Sequence, residues 1–269
     1  MKKRWLSALM AAMAVAVILP LVPADSAAQS EKGKAEKAGK FGGAGGFIAG
    51  NDGTPVDPPA PVGPAPHLPD GKVDLSGVWL PGTFGFASLG PISLQPWAEE
   101  LLKERRANVS KDDPQGLCLP SGVPRLSPYP YKIIQTPKVV VILFEGNVHS
   151  YRQLFTDGRG HDEDITDTWM GDSIARWEGN ETLVVDTVGF NDKTWLNGSG
   201  MPHSDQLHVI ERYRRPDLGH LEIEITLEDT KAFTKPSTFK RTHTLTETWE
   251  IHEYVCNENP IDTPHIVGK

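Results

Sequence analysis

A single stretch, residues 191–215, carries two histidines together with acidic and basic side chains. His203 and His208 are candidate proton carriers, because a histidine beside a carboxylate exchanges protons near neutral pH. The groups that could orient the histidine or stabilise developing negative charge are Asp192, Lys193 and Glu211. The stretch therefore predicts a general acid–base site. The alternative is a merely polar loop with partly exposed histidines.

Aromatic residues lie near these polar groups in the sequence. Trp169 and Trp195 stand among turn-forming residues, and Tyr213 shares the predicted strand face of Glu211. Aromatic rings beside acids, a lysine and histidines are typical of a ligand pocket. Three other tryptophans are expected in the core instead, namely Trp79, Trp177 and Trp249.

The last long predicted strand, 239–255, places charged residues on its apolar face. Arg241, His243 and Glu247 alternate there with apolar side chains. Such groups are costly to bury unless they pair or face a wet cavity. Two explanations remain open, an Arg241–Glu247 ion pair near the rim of a barrel, or a polar-lined lumen that binds a ligand.

Several other chemistries lack their motifs in this chain. There is no Gly-x-Ser-x-Gly elbow, no glycine-rich phosphate loop before a helix and no helical His-x-x-x-His or cysteine cluster. His203, Asp205 and His208 could bind a metal ion only through unusual loop geometry. We therefore expect no cofactor and no metal. Elimination, isomerisation or hydrolysis fits these residues better than redox chemistry.

The chain has two cysteines, Cys118 and Cys256. In an oxidising compartment they would most simply form one disulfide. A catalytic thiol, which needs a nearby base and a reduced state, is the alternative.

Residues 1–28 have the organisation of a secretory signal peptide. A basic "MKKRW" precedes an apolar run, and small residues at Ser26 and Ala28 predict cleavage after Ala28. Pro20 and Pro23 interrupt the apolar run, which disfavours a membrane anchor. We expect a periplasmic or secreted protein that makes no membrane contact after cleavage.

Charge narrows the range of partners. The 269 residues carry a net charge of −8, and loss of the signal brings it to about −10 because three basic residues and one acidic residue leave. Without a basic cluster, nucleic acid and anionic membranes are excluded as expected partners. The expected partner is a small-molecule ligand or substrate, and the oligomeric state is left open.

The remaining chain predicts one domain. Residues 29–70 are rich in Gly, Ala, Lys and Pro and predict a disordered linker, and 71–269 predict a single domain. A helix is predicted over 93–109, with Ser93 as its cap and Pro96 in its first turn. After residue 130, β-rich runs follow one another with short turns between them. We expect an all-β fold, an antiparallel meander that closes into a lipocalin-like barrel or a strongly curved sheet, with one short N-terminal helix.

Three segments carry a family resemblance. "PYPYKIIQTPKVVVILFE", "TWMGDSIARWEGNETLVVDTVGFNDKTWLNGSGMPHSDQLHVIERYRR" and "EYVCNEN" resemble recurrent segments of an uncharacterised family of exported bacterial proteins. The resemblance covers roughly residues 73–260 and implies export, the domain limits and the fold, but no catalytic residues. "LSGVW" also resembles the Gly-x-Trp opening of lipocalin-type barrels.

Two functions of different classes follow. The first is a cofactor-independent lyase, isomerase or hydrolase that works by acid–base catalysis in a polar and aromatic pocket. The second is a lipocalin-like carrier of an apolar or aromatic ligand. An interaction module anchored by its Gly/Pro-rich tail is a third hypothesis.

Overall fold

A computed structural model of the chain describes residues 48–49, 55–56, 59–81, 89, 91–125, 129–146, 148 and 150–258. The predicted signal peptide and most of the predicted linker lie outside these residues. No helix in this part of the chain is long and apolar enough to cross a membrane.

Nine strands close into a barrel, as the alternating sequence patterns predicted. Two short strands, β1 (Ile48–Ala49) and β2 (Pro55–Val56), pair separately. The barrel strands are β3 (Gly77–Leu80), β4 (Tyr131–Gln135), β5 (Val139–Phe144), β6 (Tyr151–Phe155), β7 (Asp172–Glu178), β8 (Thr182–Val188), β9 (His208–Arg214), β10 (His220–Glu228) and β11 (Ser237–Thr246). They follow chain order around the barrel, and β3 closes it against β11.

One junction differs from the expected antiparallel meander. β6 and β7 run parallel and share only the residue pair Phe155–Ile174. Every other neighbouring pair in the barrel is antiparallel. The long connection 156–171 carries the chain back to the end where β6 began, and such a crossover makes two neighbouring strands parallel. We call this junction the β6–β7 seam.

The two ends of the barrel carry different connections. Short turns at 136–138, 179–181 and 215–219 join strands at one end. The long connections 81–130 and 189–207 lie at the other end, which we call the loop end.

Strand alternation fills the barrel with apolar side chains. On β10, Leu221, Ile223, Ile225 and Leu227 are buried, and the glutamates between them face outward, as predicted. Each such side chain contributes roughly 1.5–3 kcal/mol when it is fully buried. Trp79 on β3 is also fully buried, and its indole N–H donates to the carbonyl of Leu75 at 3.0 Å.

One α-helix is present among the described residues, α1 (Pro96–Ala107), and it lies in the first long connection. Pro96 occupies its first turn as expected, and Ala98 and Leu102 face the core. The prediction of Ser93 as the cap is wrong, because the helix begins after Gln95 without a side-chain cap. The carbonyl of Ser93 instead accepts a hydrogen bond from the backbone of Thr234 at 2.9 Å. A 3₁₀ helix, Pro114–Leu117, follows α1.

The chain leaves the barrel earlier than the sequence pattern indicated. β11 ends at Thr246, so Glu247 is exposed and forms no pair with Arg241. Trp249 is half-buried rather than in the core, and its indole N–H donates to Glu145 at 3.0 Å. Trp177 is partly buried and packs against the core.

The disulfide prediction is confirmed. Cys118 and Cys256 are bonded, with 5.7 Å between their Cα atoms, and the chain has no free cysteine. The bond joins the end of the 3₁₀ helix to the segment after β11. The alternative of a catalytic thiol is therefore wrong.

Backbone hydrogen bonds join part of the predicted linker to the predicted domain. Gly63 accepts a backbone hydrogen bond from Leu218, and Pro66 accepts one from Asp74, both at 2.9 Å. These bonds hold the last part of the predicted linker against the barrel. The strand pair β1–β2 also lies within the predicted linker.

Candidate functional site

His203 has a structural role in the connection 189–207. Its Nδ1 donates to the carbonyl of Ser204 at 2.8 Å, so its Nε2 accepts from the Thr194 hydroxyl at 2.6 Å. Burial lowers the pKa of His203 and keeps the ring neutral. Because both ring nitrogens are engaged inside the protein, His203 holds the loop in place and leaves no nitrogen for a substrate.

His208 faces away from the barrel interior. It lies on the outer face of β9, where Nε2 contacts Asp186 at 2.8 Å and Nδ1 contacts Glu228 at 3.2 Å. His161 contacts the same Asp186 carboxylate through its Nε2 at 3.1 Å, and its Nδ1 contacts the Asp172 carboxylate at 2.7 Å. The hydrogen bond with Asp186 raises the pKa of His208 and favours the charged ring.

The five predicted catalytic residues do not converge. Asp192 and Lys193 are exposed and line a surface groove beside α1, together with the edge of His203. His208 lies on the outer face of the barrel, whereas Glu211 points into it. An acid–base site needs its groups within hydrogen-bond reach of one point, and the structure does not bring these five residues to one point.

The two loop tryptophans do not form a ligand pocket in the barrel. Trp195 is buried, and the Arg105 guanidinium lies 4.6 Å from its ring centre. Trp169 is half-buried in the connection 156–171. Neither residue lines the barrel interior.

A small cavity does lie inside the barrel, and we call it the lumen cavity. It measures about 40 Å³, which is room for roughly three water-sized groups. Its apolar wall consists of Ile142, Phe144, Ile223 and Ile225, and Pro81 and Pro124 line it at the loop end. Its polar groups are Tyr131, Glu211, Tyr213, Arg241 and His243. Four of these five polar residues were sequence candidates, and only Tyr131 was not.

Glu211 is already engaged within the barrel. Its carboxylate accepts from Arg152 Nη2 at 2.7 Å and from the Tyr213 hydroxyl at 2.9 Å. The same Arg152 nitrogen contacts the hydroxyl oxygens of Ser173 and Thr187 at 3.2 and 3.1 Å. Burial raises the pKa of Tyr213, so its hydroxyl stays protonated.

Arg152 is not among the site residues predicted from the sequence, although the sequence pattern indicates that its side chain faces inward. In "YRQLF" it alternates with Leu154, which predicts that both side chains share the inward face of β6. Both residues are buried in the structure. Arg152 also lines a cleft that follows the β6–β7 seam, so it lies between that cleft and the lumen cavity.

Tyr131 and His243 form a neutral pair. Burial lowers the pKa of His243 to about 3 and raises that of Tyr131 well above its usual range. The distance from the Tyr131 hydroxyl to His243 Nδ1 is 2.5 Å. We assign the tyrosine as donor, since no other acceptor among the described residues takes its proton; His243 then carries its own proton on Nε2. That Nε2 is buried and has no partner in the described part of the chain.

Arg241 is the cation of the lumen cavity. Its Nη1 donates to the carbonyl of Pro124 at 3.1 Å, and its guanidinium lies 5.4 Å from the Phe239 ring centre. It forms no ion pair with any carboxylate of the residues that the structure describes. Desolvation lowers the pKa of Arg241, which remains charged.

Comparison of the chain with protein-family models and with curated proteins finds no match. Within the described ranges, no group of three or more His, Cys, Asp or Glu side chains is arranged to hold a metal ion.

Proposed function

We propose that this protein binds a small organic ligand in the lumen cavity. The observation that carries the proposal is a buried polar donor, His243 Nε2, which has no partner within the described residues and lines the cavity beside Arg241. Buried donors without partners are costly, so a site that keeps one is suited to a ligand that supplies the acceptor. An apolar wall with a few convergent polar groups is the usual form of a ligand site.

The geometry supports binding better than acid–base catalysis. A catalytic acid or base works best when its pKa lies near the operating pH. His243 has a pKa of about 3 and the pKa of Tyr131 is well above its usual value, so neither exchanges protons readily near pH 7. The proposed class is therefore a ligand-binding barrel.

We also propose that binding takes place outside the cytoplasm, in the periplasm or after secretion. The disulfide supports this, because such bonds persist mainly in oxidising compartments. The amino-terminal sequence supports it independently.

The test is a thermal-melting screen of the mature protein against very small neutral and charged organic compounds, such as short carboxylic acids, amides and alcohols. A ligand present at a hundred times its Kd stabilises by about 2.7 kcal/mol, which raises Tm measurably. The matched variants are Ile142→Phe, which fills the cavity without removing a polar group, and His208→Gln, which changes only the outer face. Shifts that persist in His208→Gln and vanish in Ile142→Phe support the proposal. Shifts that are equal in both variants contradict it.

A further inference from the structure

We infer that the ligand of the lumen cavity is a small organic monoanion, in particular a carboxylate, whose charged group lies between Arg241 and His243 Nε2. This inference rests on the proposed function, since it assigns a chemical class to the ligand of the same cavity. It follows from the charge, the free donors and the size of the cavity.

The charge balance favours one added negative charge. Two lining residues are charged, Glu211 and Arg241. Glu211 already has its cation, because Arg152 lies 2.7 Å away with its side chain only 1% exposed. Among the described residues, Arg241 contacts a carbonyl and an aromatic ring. Burial lowers its pKa, and the charge of Glu211, with which it forms no ion pair, acts in the raising direction. Two arginines against one carboxylate leave one net positive charge, and an anion bound beside Arg241 removes the cost of burying that charge.

The free donors point to an oxygen acceptor. Arg241 offers five N–H groups, of which one nitrogen makes the bond to Pro124. His243 lies two residues farther along β11, on the same inward face, and adds the N–H on Nε2. Burial, and in second place the positive charge of Arg241, lower the pKa of His243. Two adjacent donors of this kind suit the two oxygens of a carboxylate.

The size and lining of the cavity limit the rest of the ligand. A volume of about 40 Å³ accommodates the carboxylate and a short body. Ile142, Ile223 and Ile225 require that body to be apolar. A dianion would exceed the single unpaired positive charge and face the Glu211 carboxylate, so a monoanion fits best. An ammonium group would meet Arg241 directly and is excluded by like-charge repulsion.

The test uses acetate, propionate and butyrate as probes, titrated into the full mature protein and followed by calorimetry and by NMR chemical shifts. Propionamide is the neutral control, since it keeps the shape of propionate and lacks its charge. The variants are Arg241→Gln, Arg241→Lys, Ile142→Phe and His208→Gln, each checked for folding by circular dichroism.

We expect at least one carboxylate to bind, and propionamide to bind at least roughly tenfold more weakly than propionate. Arg241→Gln should weaken carboxylate binding by a similar factor, Arg241→Lys should restore part of it, and His208→Gln should leave it unchanged.

Three results would overturn the inference: no saturable binding of any carboxylate, equal binding of propionamide and propionate, or unchanged carboxylate affinity in Arg241→Gln. If propionamide binds the native protein as tightly as propionate does, and neither binds Ile142→Phe, the anion assignment is wrong and the proposed function still stands. The proposed function itself would be wrong if every compound that binds the native protein bound Ile142→Phe with the same affinity, because the binding site would then lie outside the lumen cavity.

Discussion

Arg152 and Glu211 form an ion pair inside the barrel, with 2.7 Å between Nη2 and Oε2 and side chains only 1% and 4% exposed. The pair crosses the β6–β7 seam, because Arg152 lies on β6 and Glu211 on β9. The same guanidinium nitrogen contacts Ser173 on β7 and Thr187 on β8. Side-chain hydrogen bonds and an ion pair therefore connect β6 with β7, β8 and β9, whereas the backbones of β6 and β7 share a single residue pair.

Glu211→Gln should strongly destabilise the fold. The substitution leaves Arg152 charged and buried without its counter-ion, and breaking a buried pair in this way costs about 3–5 kcal/mol. Denaturant unfolding followed by tryptophan fluorescence gives the free energy of unfolding of the variant and of the native protein.

The double variant Arg152→Met with Glu211→Leu is the control. It removes both charges together, so it should recover much of the stability lost in Glu211→Gln. A cost below about 1 kcal/mol for Glu211→Gln alone would show that the ion pair does not hold the seam.

Replacing both cysteines by serine should lower the free energy of unfolding by about 2–4 kcal/mol. The Cys118–Cys256 bond closes a loop of 138 residues, and a cross-link over such a distance restricts the unfolded chain. Denaturant unfolding of Cys118→Ser/Cys256→Ser measures the loss. The reduced native protein should unfold at the same denaturant concentration as the double variant. Equal midpoints for the oxidised and reduced forms would contradict the prediction.

The fold could be predicted from the sequence because local patterns determine most of it. Alternation in "HLEIEITLE" predicts one buried and one exposed face, and short turns between strands predict antiparallel neighbours. The parallel β6–β7 seam could not be predicted in this way. It depends on the path of residues 156–171 in space, which no local pattern records.

The lumen cavity was only partly predictable. Arg241 and His243 were found because they break an apolar alternation on a long strand. Glu247 follows the same alternation in sequence, but β11 ends one residue before it. His203 and His208 lie close in the sequence, yet a loop directs the first inward and a strand directs the second outward. Proximity along the chain therefore did not predict a shared site.

His208 should stabilise the protein below neutral pH and lose that effect as pH rises. Its pKa is raised above 6.5 by the hydrogen bond with Asp186, so its contribution is fully present below about pH 6.5. The contribution disappears as pH rises through the folded-state pKa. We expect His208→Gln to cost about 1 kcal/mol at mildly acidic pH and less above neutrality.

Urea unfolding across a pH series checks this through the difference between the native protein and His208→Gln, which isolates the histidine from other titrating groups. The stability lost in Asp186→Asn should have the opposite pH dependence. The hydrogen bond with His208 lowers the pKa of Asp186 below 3.8, so the benefit of Asp186 should be lost only as pH falls below about 4. A His208→Gln difference that grows with increasing pH would contradict the assignment.

Backbone amides of β6 should exchange with solvent in an alternating pattern. Hydrogen bonds from Phe144 to Ser150 and from Thr156 to Lys138 set the pairing of β6 with β5. Because amides along a strand point alternately to its two sides, those of Arg152 and Leu154 point to β5, and those of Tyr151 and Gln153 point to the seam. We expect the amide of Leu154 to exchange roughly a hundredfold or more slowly than that of Gln153 in NMR hydrogen-exchange measurements.

Strand β10, which pairs along both edges, is the internal control and should show slow exchange at every central position. Equal protection of Gln153 and Leu154 would mean that the seam is closed in solution, and the Arg152–Glu211 pair would then reinforce a continuous sheet instead of replacing missing backbone bonds.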